Sequence, residues 1–153
     1  MARVARAEAW DREATLVAAV PLHARKRRER GFNQSEAIAR DLATQLGLPF
    51  RDLLLRTRDT PPQGSPTTLS RARNVEGAFA LRPRGLRRRL PRLRGAAVLL
   101  VDDVMTSGAT LSACARVLRR AGARRVYALA AARGGVPGSD LTPSGGSLRA
   151  SET

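Results

Sequence analysis

Val98-Leu99-Leu100-Val101-Asp102-Asp103-Val104-Met105-Thr106-Ser107-Gly108-Ala109-Thr110 is the stretch that decides the fold. An unbroken apolar run ending in two carboxylates has the composition of a parallel strand covered on both faces. A hydroxyl-rich turn follows. Residues 110–122, TLSACARVLRRAG, then put Leu111, Ala115 and Leu118 on one helical face, with Gly122 capping the end. In open parallel sheets, ligands bind beyond the carboxyl ends of the strands. There the free backbone N–H groups of a helix start, the helix dipole and the hydroxyls of Thr106, Ser107 and Thr110 converge, which makes a cradle for phosphate. Gly108 lets the backbone come close or take a positive φ. Asp102 and Asp103 would repel a phosphate. They suit hydroxyls or a magnesium ion, and a phosphate beside a vicinal diol describes a ribose 5-phosphate. The plainer alternative is that the acids end a strand while Thr106 or Ser107 caps a helix.

Outward from this stretch, strand and helix patterns alternate from 15 to 132. Residues 2–14 are rich in helix formers and predict one short helix, leading into an apolar strand at 15–20 that Pro21 stops. Residues 22–33 are polar and basic and read as a loop. A helix starts near Asn33 or Ser35 and aligns Ile38, Leu42 and Leu46 before Gly47 and Pro49 end it. Residues 50–55 and 79–83 are short strand candidates, and 123–133 is another apolar strand. Residues 57–78 hold three of the nine prolines and read as a long, positively charged flexible loop. Residues 134–153, rich in Gly, Ser and Pro, read as a disordered C-terminal tail behind a domain of residues 1–133. The expected fold is α/β, a mainly parallel central sheet flanked by helices.

At 153 residues the chain fits one domain of the usual ~100–200 residues. No apolar run approaches a membrane span and the N-terminus lacks a signal-peptide core, so a cytoplasmic protein without a membrane span is the expectation. Cys114 and His23 are the only residues of their kinds. That rules out a thiolate zinc site, an iron–sulfur cluster and an internal disulfide. A hydrolytic triad would depend on His23, with no Gly-x-Ser-x-Gly elbow to support it. The turn at 106–110 carries no Walker lysine and is no Gly-x-Gly-x-x-Gly. Net charge is +15, from 28 basic and 13 acidic residues. This excess implies a polyanionic partner, either nucleic acid or a phosphorylated substrate at an Arg-lined cleft. Five scattered aromatics, Trp10, Phe32, Phe50, Phe79 and Tyr127, argue against a single-strand stacking platform.

The thirteen residues from Val98 to Thr110 resemble the phosphoribosyl pyrophosphate (PRPP) motif of the type I phosphoribosyltransferases. A second segment narrows the likeness. Val20-Pro21-Leu22-His23, followed by Arg25, Arg27, Arg28 and Arg30-Gly31-Phe32-Asn33-Gln34-Ser35, resembles the VPLH…RERGFNQ signature of the ComF family, GntX-related phosphoribosyltransferase-like proteins linked to competence for DNA uptake. Thr60-Pro61-Pro62-Gln63, Leu69-Ser70-Arg71 and Asn74 to Phe79 look like that family's flexible loop.

The resemblance implies the type I phosphoribosyltransferase fold and a PRPP ligand bound with Mg2+, no residue being assigned as a metal ligand of its own. Asp102 and Asp103 take the catalytic role at the ribose hydroxyls. Thr106, Ser107, Gly108, Ala109 and Thr110 hold the 5-phosphate. Residues 21–31 hold the pyrophosphate, with Leu22, His23, Arg25 and Arg30 as the candidates, and Arg71 and Arg73 close over it. The blander readings stay open: solvated arginines, His23 stacked in a turn, Phe32 as a core anchor under the loop, Asn33 or Ser35 as a helix cap. Full-length ComF proteins carry an N-terminal cysteine-rich zinc module, and only 19 residues precede Val20, so the expectation is a short or truncated relative, or one completed by a partner. Transfer of ribose 5-phosphate, its sensing without turnover, and a non-catalytic basic module for single-stranded DNA or a competence partner all remain open. So does a homodimer.

Overall fold

A computed structural model describes residues 1–58, 75, 77–83 and 93–134. Its helices are α1 (Ala2–Ala7), α2 (Trp10–Glu13), α3 (Ala24–Arg30), α4 (Gln34–Leu46) and α5 (Ala109–Arg120), and its strands β1 (Leu16–Ala19), β2 (Leu54–Arg56), β3 (Phe79–Leu81), β4 (Ala97–Met105) and β5 (Arg125–Arg133). β1, β4 and β5 form a parallel sheet with β4 in the middle. Leu16 pairs with Val98 on one side, and Val98 with Val126 on the other. β2 and β3 form a separate antiparallel pair, Leu54 opposite Leu81.

The apolar run of β4 is buried on both faces because strand side chains alternate. Val98 and Leu100 face a core built from Leu111, Cys114 and Leu118 of α5, with Leu54 and Phe79. Leu99 and Val101 face the opposite core, where Ala39, Leu42 and Ala43 of α4 meet Ala5 and Trp10. α4 and α5 therefore pack their apolar stripes on opposite faces of the same central strand.

Several expectations are corrected. Residues 24–30 form a helix and not a loop. Arg, Lys and Glu are strong helix formers, the His23 Nδ1 accepts the Arg25 N–H at 3.4 Å at its start, and Gly31 ends it in the left-handed region at φ 78°. The single helix expected over 2–14 breaks at Ala9, whose φ is 57°, and the break turns Trp10 inward to stack on Tyr127 at 5.4 Å. The strand expected at 50–55 is confined to Leu54–Arg56, with Phe50 making only an isolated parallel bridge to Val17. β4 does not stop at its acids but runs on to Met105. The loop at 57–78 falls mostly outside the described residues, as do Arg71, Arg73, the arginines from 84 to 92 and the tail after Gly134. Among the described residues no helix is long and apolar enough to cross a membrane.

Candidate ligand cleft

The carboxyl end of β4, the C-terminus of β1 and the N-terminus of α4 surround one cleft of about 400 Å³. Asp102, Asp103, Ser35, Asn33, Arg30 and Thr110 line it, with Leu22, Phe32 and Arg56 among the remaining walls. Asn33 stands at the head of α4, but its side-chain amide donates to the Val20 carbonyl at 3.0 Å and makes no cap bond. That bond ties the start of α4 to the end of β1.

Ser35, the second residue of α4, is 4% exposed, and its hydroxyl is the hub of the site. The Oγ lies 3.0 Å from Asp102 Oδ1 and 3.3 Å from Asp103 Oδ1, and it accepts the Asp103 N–H at 3.2 Å. A hydroxyl has one proton, so at any moment it donates to one carboxylate only. The other carboxylate keeps a free acceptor for a group in the cleft. Neighbouring strand residues ordinarily point to opposite faces. Here both acids reach the same serine, and backbone N–H groups help to aim them: Asp103 N–H donates to Asp102 Oδ1 at 3.0 Å and Val104 N–H to Asp103 Oδ1 at 2.9 Å.

Burial pushes the Asp102 carboxyl up to about 6, and the adjacent Asp103 carboxylate adds to the rise, while the Ser35 hydroxyl opposes it. The pair is therefore a site where one negative charge is held at a cost, ready to accept hydrogen bonds.

After Met105 the chain turns through Thr106 and Ser107 to Gly108, which adopts φ 73° at the N-cap of α5. The first helical bond of α5 follows, Ser112 N–H to Gly108 O at 2.9 Å. Gly108 itself offers no capping side chain, and the Ala109 N–H donates to Ser107 Oγ at 3.5 Å. The start of α5 thus stands beside Thr110, which lines the cleft.

The predicted site residues divide by position. Asp102, Asp103, Thr110, Leu22 and Arg30 come together in the cleft, and Thr106, Ser107, Gly108 and Ala109 form the adjoining turn. His23 and Arg25 do not line it. His23 starts α3, and Arg25 pairs with Glu29 at 3.7 Å. Phe32, expected beneath the loop, is 57% exposed at the cleft, because Gly31 turns the chain out of α3 and Asn33 is pulled back to Val20. Arg56 was not anticipated. A short strand far along the chain carries it in, and no local pattern marks it. Ser35 was anticipated only as a cap.

Residues 33–139 match the phosphoribosyl transferase domain family. The chain belongs to that family. Curated relatives include the DNA utilization protein YhgH of Salmonella typhi, 36% identical over 72% of this chain and 45% of that protein. The Competence protein F of Haemophilus influenzae is 30% identical over 74% of this chain and 48% of that protein. Both bear out the ComF resemblance, and the chain spans about half the length of the curated relatives it matches. The purine phosphoribosyltransferase of Pyrococcus horikoshii shares the fold: TM-score 0.50 and 19% identity, over 86% of this chain and 70% of that one. The type I phosphoribosyltransferase fold expected from the Val98–Thr110 stretch is the fold observed.

Proposed function

We propose that the cleft binds a 5-phosphorylated ribose, as PRPP with magnesium, and transfers or senses its ribose 5-phosphate. The observation that carries this reading is that one cleft holds two carboxylates sharing a serine hydroxyl, Thr110 from the first turn of α5, and Arg30 with Arg56. Carboxylates accept from hydroxyls, helix N–H groups donate to phosphate, and guanidinium groups make bidentate bonds to phosphate oxygens. Asp102 and Asp103 hold the ribose hydroxyls in this scheme. Residues 106–110 hold the 5-phosphate, and Leu22 and Arg30 border the pyrophosphate, with His23 and Arg25 a helical turn behind.

The donor set suits magnesium. No cluster of three or more His, Cys, Asp or Glu residues occurs among the described residues. A magnesium ion usually takes one or two carboxylates, keeps several waters and shares substrate phosphates, so Asp102 and Asp103 are the residues to hold it. When bound, it would offset charge on a departing pyrophosphate. The chain's own part in transfer is to hold the pentose by its hydroxyls while the anomeric carbon loses its bond to pyrophosphate and gains one to the acceptor. Guanidinium groups and the helix dipole then face the developing negative charge on the leaving group.

A second reading has its own support. α3 carries Arg25, Lys26, Arg27, Arg28 and Arg30 and buries none of its residues, as a surface for a polyanion would. Relatives are named for DNA utilization and competence. A basic module for single-stranded DNA or a competence partner fits that surface.

Calorimetry with PRPP and Mg2+ tests the first reading. Asp102→Asn and Asp103→Asn should each weaken PRPP binding by ~1–3 kcal/mol, the worth of a hydrogen bond to a charged group. Inorganic phosphate should bind unchanged or slightly tighter, since a nearby negative charge is gone. Equal loss of both ligands would make the acids supports of the turn and end the ribose assignment.

A further inference from the structure

β5 is an edge of the parallel sheet: β4 pairs with it on one side, and no strand among the described residues pairs with it on the other. Successive backbone N–H groups along a strand point to opposite edges. Two bonds that bracket β5 decide which ones point outward. Arg124 N–H donates to Ala96 O at 2.7 Å and Gly134 N–H to Met105 O at 2.9 Å, so the even-numbered residues address β4. The N–H and C=O groups of Tyr127, Leu129, Ala131 and Arg133 are therefore aimed away from the sheet.

Proteins usually blunt such an edge with a proline, a bulge or an inward-turned charge. β5 has none of these. Residues 126–132, Val-Tyr-Ala-Leu-Ala-Ala-Ala, carry no charge, proline or glycine, and the strand keeps one register against β4 from Arg125 to Arg133. Val126 to Ala130 are only partly buried, and Ala131 to Arg133 are exposed. Charge then decides what could pair there. At the amino end Arg124 and Arg125 are exposed, Arg119 reaches the Arg124 carbonyl at 3.4 Å, and Glu13 meets Arg125 at 2.9 Å. Arg133 stands at the other end. A second copy of β5 laid antiparallel over its full length would set Arg125 against Arg133 at both ends, and laid parallel would set each arginine against itself. Like charges directly opposite are destabilising, and two chains of +15 repel besides.

We infer that the free edge of β5 takes up an extended segment of an acidic protein partner as a further strand, apolar in its middle and carrying carboxylates at both ends. The span from Arg125 to Arg133 sets those carboxylates about 26 Å apart at ~3.3 Å per residue. Main-chain bonds to Tyr127, Leu129 and Ala131 hold the added strand, and the arginines at its two ends select it over a neutral or basic one. None of the residues from Arg125 to Arg133 lines the cleft, so the inference stands whatever the cleft binds.

The probe is a fluorescein-labelled peptide, Glu-Glu-Val-Thr-Val-Thr-Val-Glu-Glu, titrated with the full chain by fluorescence anisotropy. One control replaces every Glu by Lys. Another places two adjacent prolines at the centre, which removes a donor toward either edge while keeping the charge. The acidic peptide should bind at least roughly tenfold tighter than both controls. Ala131→Pro deletes an N–H that points outward and spares the ladder to β4, so the chain should fold and lose roughly tenfold in affinity for the acidic peptide. Circular dichroism checks the fold. Arg133→Glu, an exposed change that makes no demand on the backbone, should weaken the acidic peptide and tighten the Lys peptide. Equal binding of the proline peptide would reduce the contact to charge alone and overturn the added strand, and an unchanged preference between the acidic and Lys peptides in Arg133→Glu would overturn the selection by charge. Dimerisation of the parent chain in sedimentation, with no binding of the acidic peptide, would give the edge to a second copy and overturn the inference.

Discussion

Asp102 lies where the apolar interior of the sheet ends, 7% exposed and still ionisable. Its carboxyl is raised from an ordinary 3.8 to about 6, first by burial and then by Asp103. The folded chain therefore holds that proton more tightly than the unfolded chain does, and stability falls as pH rises from about 4 to about 6. Below this window the cost is absent, and above it the cost is complete. A rise of about two pKa units corresponds to about 3 kcal/mol. Asp102→Asn should consequently gain stability relative to the parent at pH 7 compared with pH 4, by about 2–3 kcal/mol, as read from urea unfolding at the two pH values. A pH-independent difference would mean that Asp102 ionises without penalty. Both acids stand out in the sequence because two charges follow a buried run. Ser35 does not, because a serine near a helix start reads as a cap, and only the crossing of α4 over the end of β4 brings its hydroxyl to them.

At the scale of elements, the strand–turn–helix unit from β4 to α5 was legible because each part has its own local signal: an apolar run, a glycine among hydroxyls, a 3.6-residue stripe. α3 was misread for the opposite reason. It has no apolar stripe, and periodicity cannot announce a helix that buries nothing, so only propensity and the Gly31 stop remain to mark it. Arg56 and the antiparallel β2–β3 pair depend on contacts between distant segments, which no local pattern encodes. Gly108 supplies the sharpest test of the turn. At φ 73° an alanine pays for its Cβ in the left-handed region, roughly 1–2 kcal/mol. Gly47 closes α4 at φ 68° and does not line the cleft. Gly108→Ala and Gly47→Ala should therefore destabilise the chain about equally in thermal unfolding, while only Gly108→Ala weakens phosphate and PRPP binding. Parallel losses of affinity in both variants would remove the turn from the site.

Across the whole molecule, charge is the property that the fold does not explain. The sheet and its two cores are apolar, and the ion pairs seen, such as Arg82 with Asp52 at 2.9 Å and Arg125 with Glu13 at 2.9 Å, lie at exposed or half-buried positions where a pair contributes little stability. A net charge of +15 instead costs self-repulsion, so it is expected to act on something outside the chain. Small anions steered toward the cleft need only the local field of Arg30 and Arg56. A nucleic acid would use a wider surface, and α3 offers one, with Arg25 and Arg27 already engaged by Glu29 and Glu36 and with Lys26 and Arg28 on the same short helix. Binding of single-stranded DNA driven by such a surface should weaken with salt, with a log–log slope of about −0.7 for each phosphate contacted. The double variant Lys26→Glu, Arg28→Glu should flatten that slope by about 1.4 if each cation contacts one phosphate, and should leave the affinity for inorganic phosphate in the cleft nearly unchanged. Filter binding across a salt series measures both slopes. Absence of DNA retention at the lowest salt would assign the charge to small-anion steering, and an unchanged slope in the double variant would move the nucleic-acid surface off α3.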